Sequence, residues 1–183
     1  MAPRATTSRN VAPPGKALTP DALYRAEGEY VWNSLRRLGV AAADLEDLTH
    51  EVFIVALGRL SSYDPARPLR PWLFGIAARV AGHHQRWWRR RREVGGELPE
   101  LEDGGRPADE ELADRQARAL LVRALGQLKL ERRSVLILHE IDGVAVPQIA
   151  EALGIPLNTA YSRLRLGRAE LAVAVRRLAR GER

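Results

Sequence analysis

The chain has 183 residues, 45% of them apolar, with a net charge of +6 and no cysteine. That length holds one medium domain or two small ones with a real core, and the missing cysteine excludes a disulfide framework, a thiolate zinc site and a thiol nucleophile. No apolar run is long enough to span a bilayer, and residues 1–18 carry Pro3, Pro13, Pro14 and Gly15 in place of a secretory signal's apolar stretch, so the expected location is the cytoplasm.

Charge is unevenly placed. Residues 1–18 carry +3, residues 19–92 carry +4, residues 93–114 carry −8 and residues 115–183 carry +7. Two basic bodies flanking an acidic strip are the outline of a protein that grips a polyanion at two places. Nearly all the positive charge is arginine, which suits bidentate phosphate pairing and equally a genome rich in G and C.

Apolar residues recur at helical spacing with no sustained alternation, so the expected fold is all-α. Residues 1–18 read as a disordered arm. Thr19-Pro20-Asp21 opens a first helix, a capping residue followed by proline, and Gly39 stops it after Leu38. A second helix is expected from Ala42 to Leu60, with Leu45, Leu48, Val52 and Ala56 on one stripe and Asp44, Glu46 and Asp47 in the first turn, where the helix dipole favours acids. A loop with two prolines follows. The third helix begins near Arg70-Pro71-Trp72, buries Leu73, Ile76, Ala77 and Val80, and ends in Arg86-Trp87-Trp88-Arg89-Arg90-Arg91-Arg92.

Residues 93–114 hold nine acids and too little apolar surface to offset ordering, and are expected to be a flexible acidic linker between two domains, 19–92 and 115–180. Beyond it, Leu120 to Leu128 and Val135 to Ile141 mark two helices, with Gly143 as a stop. Pro147 to Leu153, the turn Gly154-Ile155-Pro156, and Leu157 to Leu178 have the short helix, tight turn and longer helix of a helix-turn-helix. Ala150, Gly154 and Ala160 meet its need for small residues at the helix contact and a left-handed turn position. With Ala160, Leu164, Leu171 and Val175 inward, Asn158, Thr159, Ser162, Arg163, Arg165 and Arg168 face outward as hydrogen-bonding and phosphate-pairing groups. This motif predicts DNA binding but names no process, because repressors, activators and recombinases share it.

The histidines do not make a metal site: His83 and His84 point about 100° apart on a helix, and His50 and His139 lie in different expected domains. No phosphate-cradling glycine loop or nucleophile elbow is present either, so neither metal, cofactor nor catalytic residue is expected.

The process is named by the first domain. Asp44-Leu45-Glu46-Asp47-Leu48-Thr49-His50-Glu51-Val52-Phe53 resembles the helix with which bacterial sigma factors dock on the clamp helices of RNA polymerase. Tyr63 to Ala77 is similar to the promoter-melting segment of the extracytoplasmic-function (ECF) sigma factors, and Val146 to Leu166 to their minus-thirty-five reader. The resemblance runs from Leu23 to Leu178 in the family's order, departing from its usual pattern at His83, where an acid is common, and at Lys129, where proline is.

Membership would imply a promoter-specificity factor without catalysis of its own, a monomer when free and not inserted in membrane. Core polymerase would meet Asp44, Glu46, Asp47, His50, Glu51 and Phe53. The minus-ten element, double- and then single-stranded, would meet Tyr63, Arg67, Arg70, Arg79, His84, Arg86, Arg89 and Arg90. The minus-thirty-five element would meet Asn158, Thr159, Ser162, Arg163, Arg165 and Arg168. The second domain would also touch the polymerase flap tip, and an anti-sigma factor would restrain the whole. A dimeric helix-turn-helix regulator is the rival reading and leaves the first domain unexplained. A sigma-like decoy is a second, and should lack the basic faces.

Overall fold

The computed structural model describes residues 19–92 and 112–181. The N-terminal arm and most of the acidic linker lie outside the described residues, among which every regular element is helical.

Helix α1 (Pro20–Arg37) starts as its sequence dictates: the Thr19 hydroxyl accepts the Ala22 amide at 3.3 Å, Pro20 occupies the first turn, and Arg36 and Arg37 lie at the negative end of the dipole. Helix α2 (Leu45–Gly58) is shorter than the expected 42–60, because tight three-residue turns at Ala42–Asp44 and Leu60–Ser62 replace its ends. Helix α3 (Leu69–Arg92) runs six full turns. These three pack through Leu23, Val31, Leu35, Leu45, Leu48, Val52, Leu73, Phe74 and Ala77, the stripes the periodicity marked.

The second body consists of α4 (Leu112–Gly126), α5 (Leu130–Leu136), α6 (Val146–Leu153) and α7 (Leu157–Ala179). Helix α4 begins inside the expected linker, at Leu112. Helix α5 continues into one wide π turn, Ile137–Ile141, which the sequence reading took as plain helix. That turn closes with the Asp142 amide donating to the Ile137 carbonyl at 3.1 Å. Between α6 and α7, Gly154 sits at φ +66°, which only glycine adopts at little cost, and the Ile155 amide returns to the Ala150 carbonyl at 2.9 Å. Ala150 and Ala160 are buried there, as a helix-turn-helix requires.

The two bodies are not held apart. One continuous apolar cluster runs from Leu23 and Leu73 of the first into Leu125, Ile137, Ile149 and Leu164 of the second. Polar ties reinforce it. The Tyr30 hydroxyl donates to Asp142 at 2.8 Å, and the buried Arg133 guanidinium donates to the carbonyls of Leu38 at 2.6 Å and of Gly126 and Leu128 at 2.7 Å. Burial pushes the Arg133 guanidinium down to about 10, so it still carries its charge at neutral pH.

Candidate polymerase and nucleic-acid interfaces

On α2 the apolar stripe faces the core and leaves Asp47, His50, Glu51 and Ile54 on one exposed stripe, with Glu46 beside it. Ile54 is 70% exposed, an unusual position for a side chain of that size on an otherwise acidic face. The His50 ring stacks on Tyr24 with centroids 5.7 Å apart. Two residues expected at this surface sit elsewhere. Phe53 is buried against Tyr24, its ring 4.9 Å away, because its place on the helix turns it toward α1. Asp44 is half-buried, with a carboxylate oxygen 3.4 Å from the His84 ring of α3, so it faces into the domain.

The expected minus-ten residues divide into three groups. Tyr63 is buried, its ring 4.9 Å from Trp72 and its hydroxyl donating to the Arg67 carbonyl at 2.6 Å, so as placed it has no free face for a base. The turn before α3 folds it inward, unlike the surface position expected of a residue that meets the minus-ten element. Burial, with Asp64 adding to it, raises its phenol above the ordinary value.

A second group is engaged by neighbours. Arg70 donates to Glu27 of α1 at 2.8 Å and lies 5.1 Å from the Tyr30 ring centroid. Arg67 pairs with both Asp64 and Glu151 at 3.3 Å. His84 Nε2 accepts from the Trp88 indole at 2.9 Å, a bond open only to the unprotonated nitrogen.

The third group, Arg79, Arg86 and Arg90, is exposed on α3; Arg89 belongs to the same helix, and its side chain lies outside the described part. Burial, with Arg59 adding to it, lowers the Arg79 guanidinium from its ordinary value. Trp87 is exposed and packs edge-on against Trp88, centroids 5.2 Å apart, which leaves it the better placed aromatic at this end.

On α7 the outward face is as expected: Asn158, Ser162, Arg165 and Arg168 are exposed, and Thr159 and Arg163 half-buried. Arg168 is committed to Glu140, its Nε donating at 2.7 Å and its Nη2 2.6 Å from the same carboxylate. Sequence reasoning missed two residues here. Leu157 and Tyr161 are 43% and 52% exposed and share a stripe with Arg165. An apolar surface on a groove-reading helix suits a thymine methyl. Their spacing of four along α7 is the sequence signal that marks them.

Comparison with known proteins assigns both helical bodies to known families. Residues 23–93 match the family described as Sigma-70 region 2, and residues 111–171 the one described as Sigma-70, region 4. The chain is 30% identical to the RNA polymerase sigma factor CnrH of Cupriavidus metallidurans, over 81% of this chain and 82% of that protein. It is 33% identical to the ECF RNA polymerase sigma factor SigL of Mycobacterium tuberculosis, over 78% and 81%.

Among solved structures, CnrH in complex with the cytosolic domain of CnrY is similar at a TM-score of 0.57 and 26% identity, covering 84% of this chain and 85% of that one. The sigma factor RpoE in complex with the anti-sigma factor NepR, from Bartonella quintana, shares the fold at a TM-score of 0.61 and 22% identity, covering 84% and 96%. With both regions in order on one chain and such relatives aligned over more than three quarters of their length, the chain belongs to the ECF family of RNA polymerase sigma factors, transcription initiation factors rather than catalysts.

Proposed function

We propose that this chain docks on core RNA polymerase through the exposed face of α2, with Glu46, Asp47, His50, Glu51 and Ile54 meeting a basic partner surface such as the clamp helices. Helix α3 then reads and melts the minus-ten element with Arg79, Arg86, Arg89 and Arg90, Trp87 offering a ring to an unstacked base. Helix α7 lies in the major groove of the minus-thirty-five element, with Asn158, Thr159, Ser162, Arg163 and Arg165 as readers and Leu157 and Tyr161 beside them. The second domain, 115–180, also meets the flap tip, and phosphodiester chemistry stays in the core enzyme, in the cytoplasm. An anti-sigma factor restrains the free protein, a role supported by the complexes in which both structural relatives were solved.

The observation that carries this reading is the exposed acidic stripe of α2 on the same chain as a helix-turn-helix with an exposed, arginine-bearing face. The test is run-off transcription with purified core polymerase and the double reversal Asp47→Arg with Glu51→Arg. Both positions are exposed, so helical content and melting temperature should hold. Close interfacial charge pairs are worth about 1.5–7 kcal/mol, so copurification with core and initiation should both be lost while duplex DNA binding persists. A well-folded double reversal that initiates at the parent's rate would show that α2 is not the docking helix.

A further inference from the structure

Where the two domains meet, one seam is tight and the space beside it is open. At Gly75 of α3 the backbone leaves no room for a Cβ against the Ala152 carbonyl at the end of α6. Beside that contact lies a cleft of about 380 Å³, within the range of about 300–1,000 Å³ usual for small-ligand sites. Its walls come from both domains: Arg79 and Arg86 from α3, Leu130 and Glu131 from the start of α5, and Arg163 from α7.

Three guanidiniums share this space. Arg79 reaches across the seam, with Nη2 3.5 Å from the Ala152 carbonyl oxygen and close to Gly154, where a Cβ would stand 3.8 Å from it. Arg86 folds back over Gly82, where a Cβ would stand 3.4 Å from its Nη1. Among the described residues neither Arg86 nor Arg163 has a hydrogen-bonded or ion-paired partner, and Glu131, the one acid in the lining, is paired with none of the three. Arg59 adds to the positive field from a neighbouring hollow that it shares with Arg79.

Like charges gathered in a cleft focus a positive potential there and repel one another until an anion enters. A guanidinium fork grips phosphate oxygens two at a time, so three forks outnumber the terminal oxygens of a single phosphate and match those of two linked ones. We infer that this cleft is a binding site for a compact polyphosphate, of the pyrophosphate class carried by nucleoside di- and triphosphates, held by Arg79 and Arg86 of the first domain and Arg163 of the second. The Gly75 contact closes the cleft on the α6 side, which suits a compact ligand and leaves an extended strand no exit there. A ligand so held bonds to both domains at once and ties them together. The site stands whichever promoter element each helix reads.

Isothermal titration of the full-length protein with inorganic pyrophosphate, without divalent metal and at constant ionic strength set by chloride, tests it. Binding should saturate at one site, and the melting temperature should rise with pyrophosphate concentration. Arg86→Gln and Arg163→Gln, each removing one guanidinium from a different domain, should each weaken binding by at least about tenfold, as the loss of one charge-assisted pair implies. Arg176→Gln, the same loss of charge at an exposed position in the last turn of α7, should not. Circular dichroism checks that every variant keeps the parent's helical content. No saturable binding, or dependence on the arginine of one domain alone, overturns the inference. Equal weakening by all three substitutions also overturns it, because that marks a general attraction to a basic protein. So does a hexathymidylate that shows the same dependence on Arg86 and Arg163 and binds about tenfold more tightly than pyrophosphate, since the cleft would then belong to a nucleic-acid strand.

Discussion

Replacing Arg133 by methionine should cost about 3 kcal/mol of stability and loosen the junction between the domains. Arg133 is 5% exposed and faces carbonyls in place of any carboxylate: Leu38 from the end of α1, and Gly126 and Leu128 from the turn between α4 and α5. Methionine keeps much of the volume and supplies no donor. Each buried carbonyl left alone costs about 1–3 kcal/mol, so three cost about 6 at the middle of that range. Against this stands the charge that no longer has to be buried. A guanidinium held down to about 10 has lost about 3 kcal/mol relative to its exposed form, and methionine recovers that amount.

The difference, about 3 kcal/mol, should lower the melting temperature by roughly 6–12 °C for a chain of this size. Lysine should fall between the two, since one ammonium cannot span carbonyls on two sides of the side chain as the planar fork does. Thermal and urea denaturation measure the loss, and amide exchange at Gly39 and Val40, just past the Leu38 carbonyl, reports the junction. A methionine variant melting within about 2 °C of the parent would mean that water or backbone movement satisfies those carbonyls, and that the tie between the domains is not structural.

Two more outcomes follow from the same geometry. Arg165→Ala should lower the salt slope of duplex binding by about 1, whereas Arg168→Ala should change it less, because Glu140 already neutralises that guanidinium; equal effects would show that the Arg168–Glu140 pair opens on DNA. Burial raises the Asp142 carboxyl above its ordinary value, against the opposing hydrogen bond from Tyr30 and the charges of Arg37 and Arg70. Folding therefore binds a proton there, and that stabilisation is present below the ordinary carboxylate value and lost as pH rises through the folded one. The stability difference between the parent and Asp142→Asn, measured by urea denaturation from about pH 4 to pH 7, should shift against the parent as pH rises; a flat difference would refute a buried, strained carboxylate.

The sequence by itself determined the helices, their buried stripes and the helix-turn-helix. These depend on local spacing: a cap at Thr19, stops at Gly39 and Gly154, and apolar residues every three or four positions from Leu23 to Leu164. The acidic face of α2 and the arginine-bearing face of α7 were legible for the same reason, since once one side of a helix must be buried, the other is fixed. What only the tertiary structure decided is which exposed-looking residues have partners. Tyr63 and Phe53 turn inward, Arg70 is held by Glu27 and Arg168 by Glu140, partners lying 43 and 28 residues away. Spacing along one helix carries no information about a side chain on another. Charge by segment suggested two bodies kept apart, yet the structure joins them through Gly75 against Ala152, Tyr30 with Asp142 and Arg133 with Leu38. Such contacts depend on the shape of two finished domains: a missing Cβ leaves room that periodicity cannot register, and an unpaired carbonyl finds its donor only after both surfaces exist.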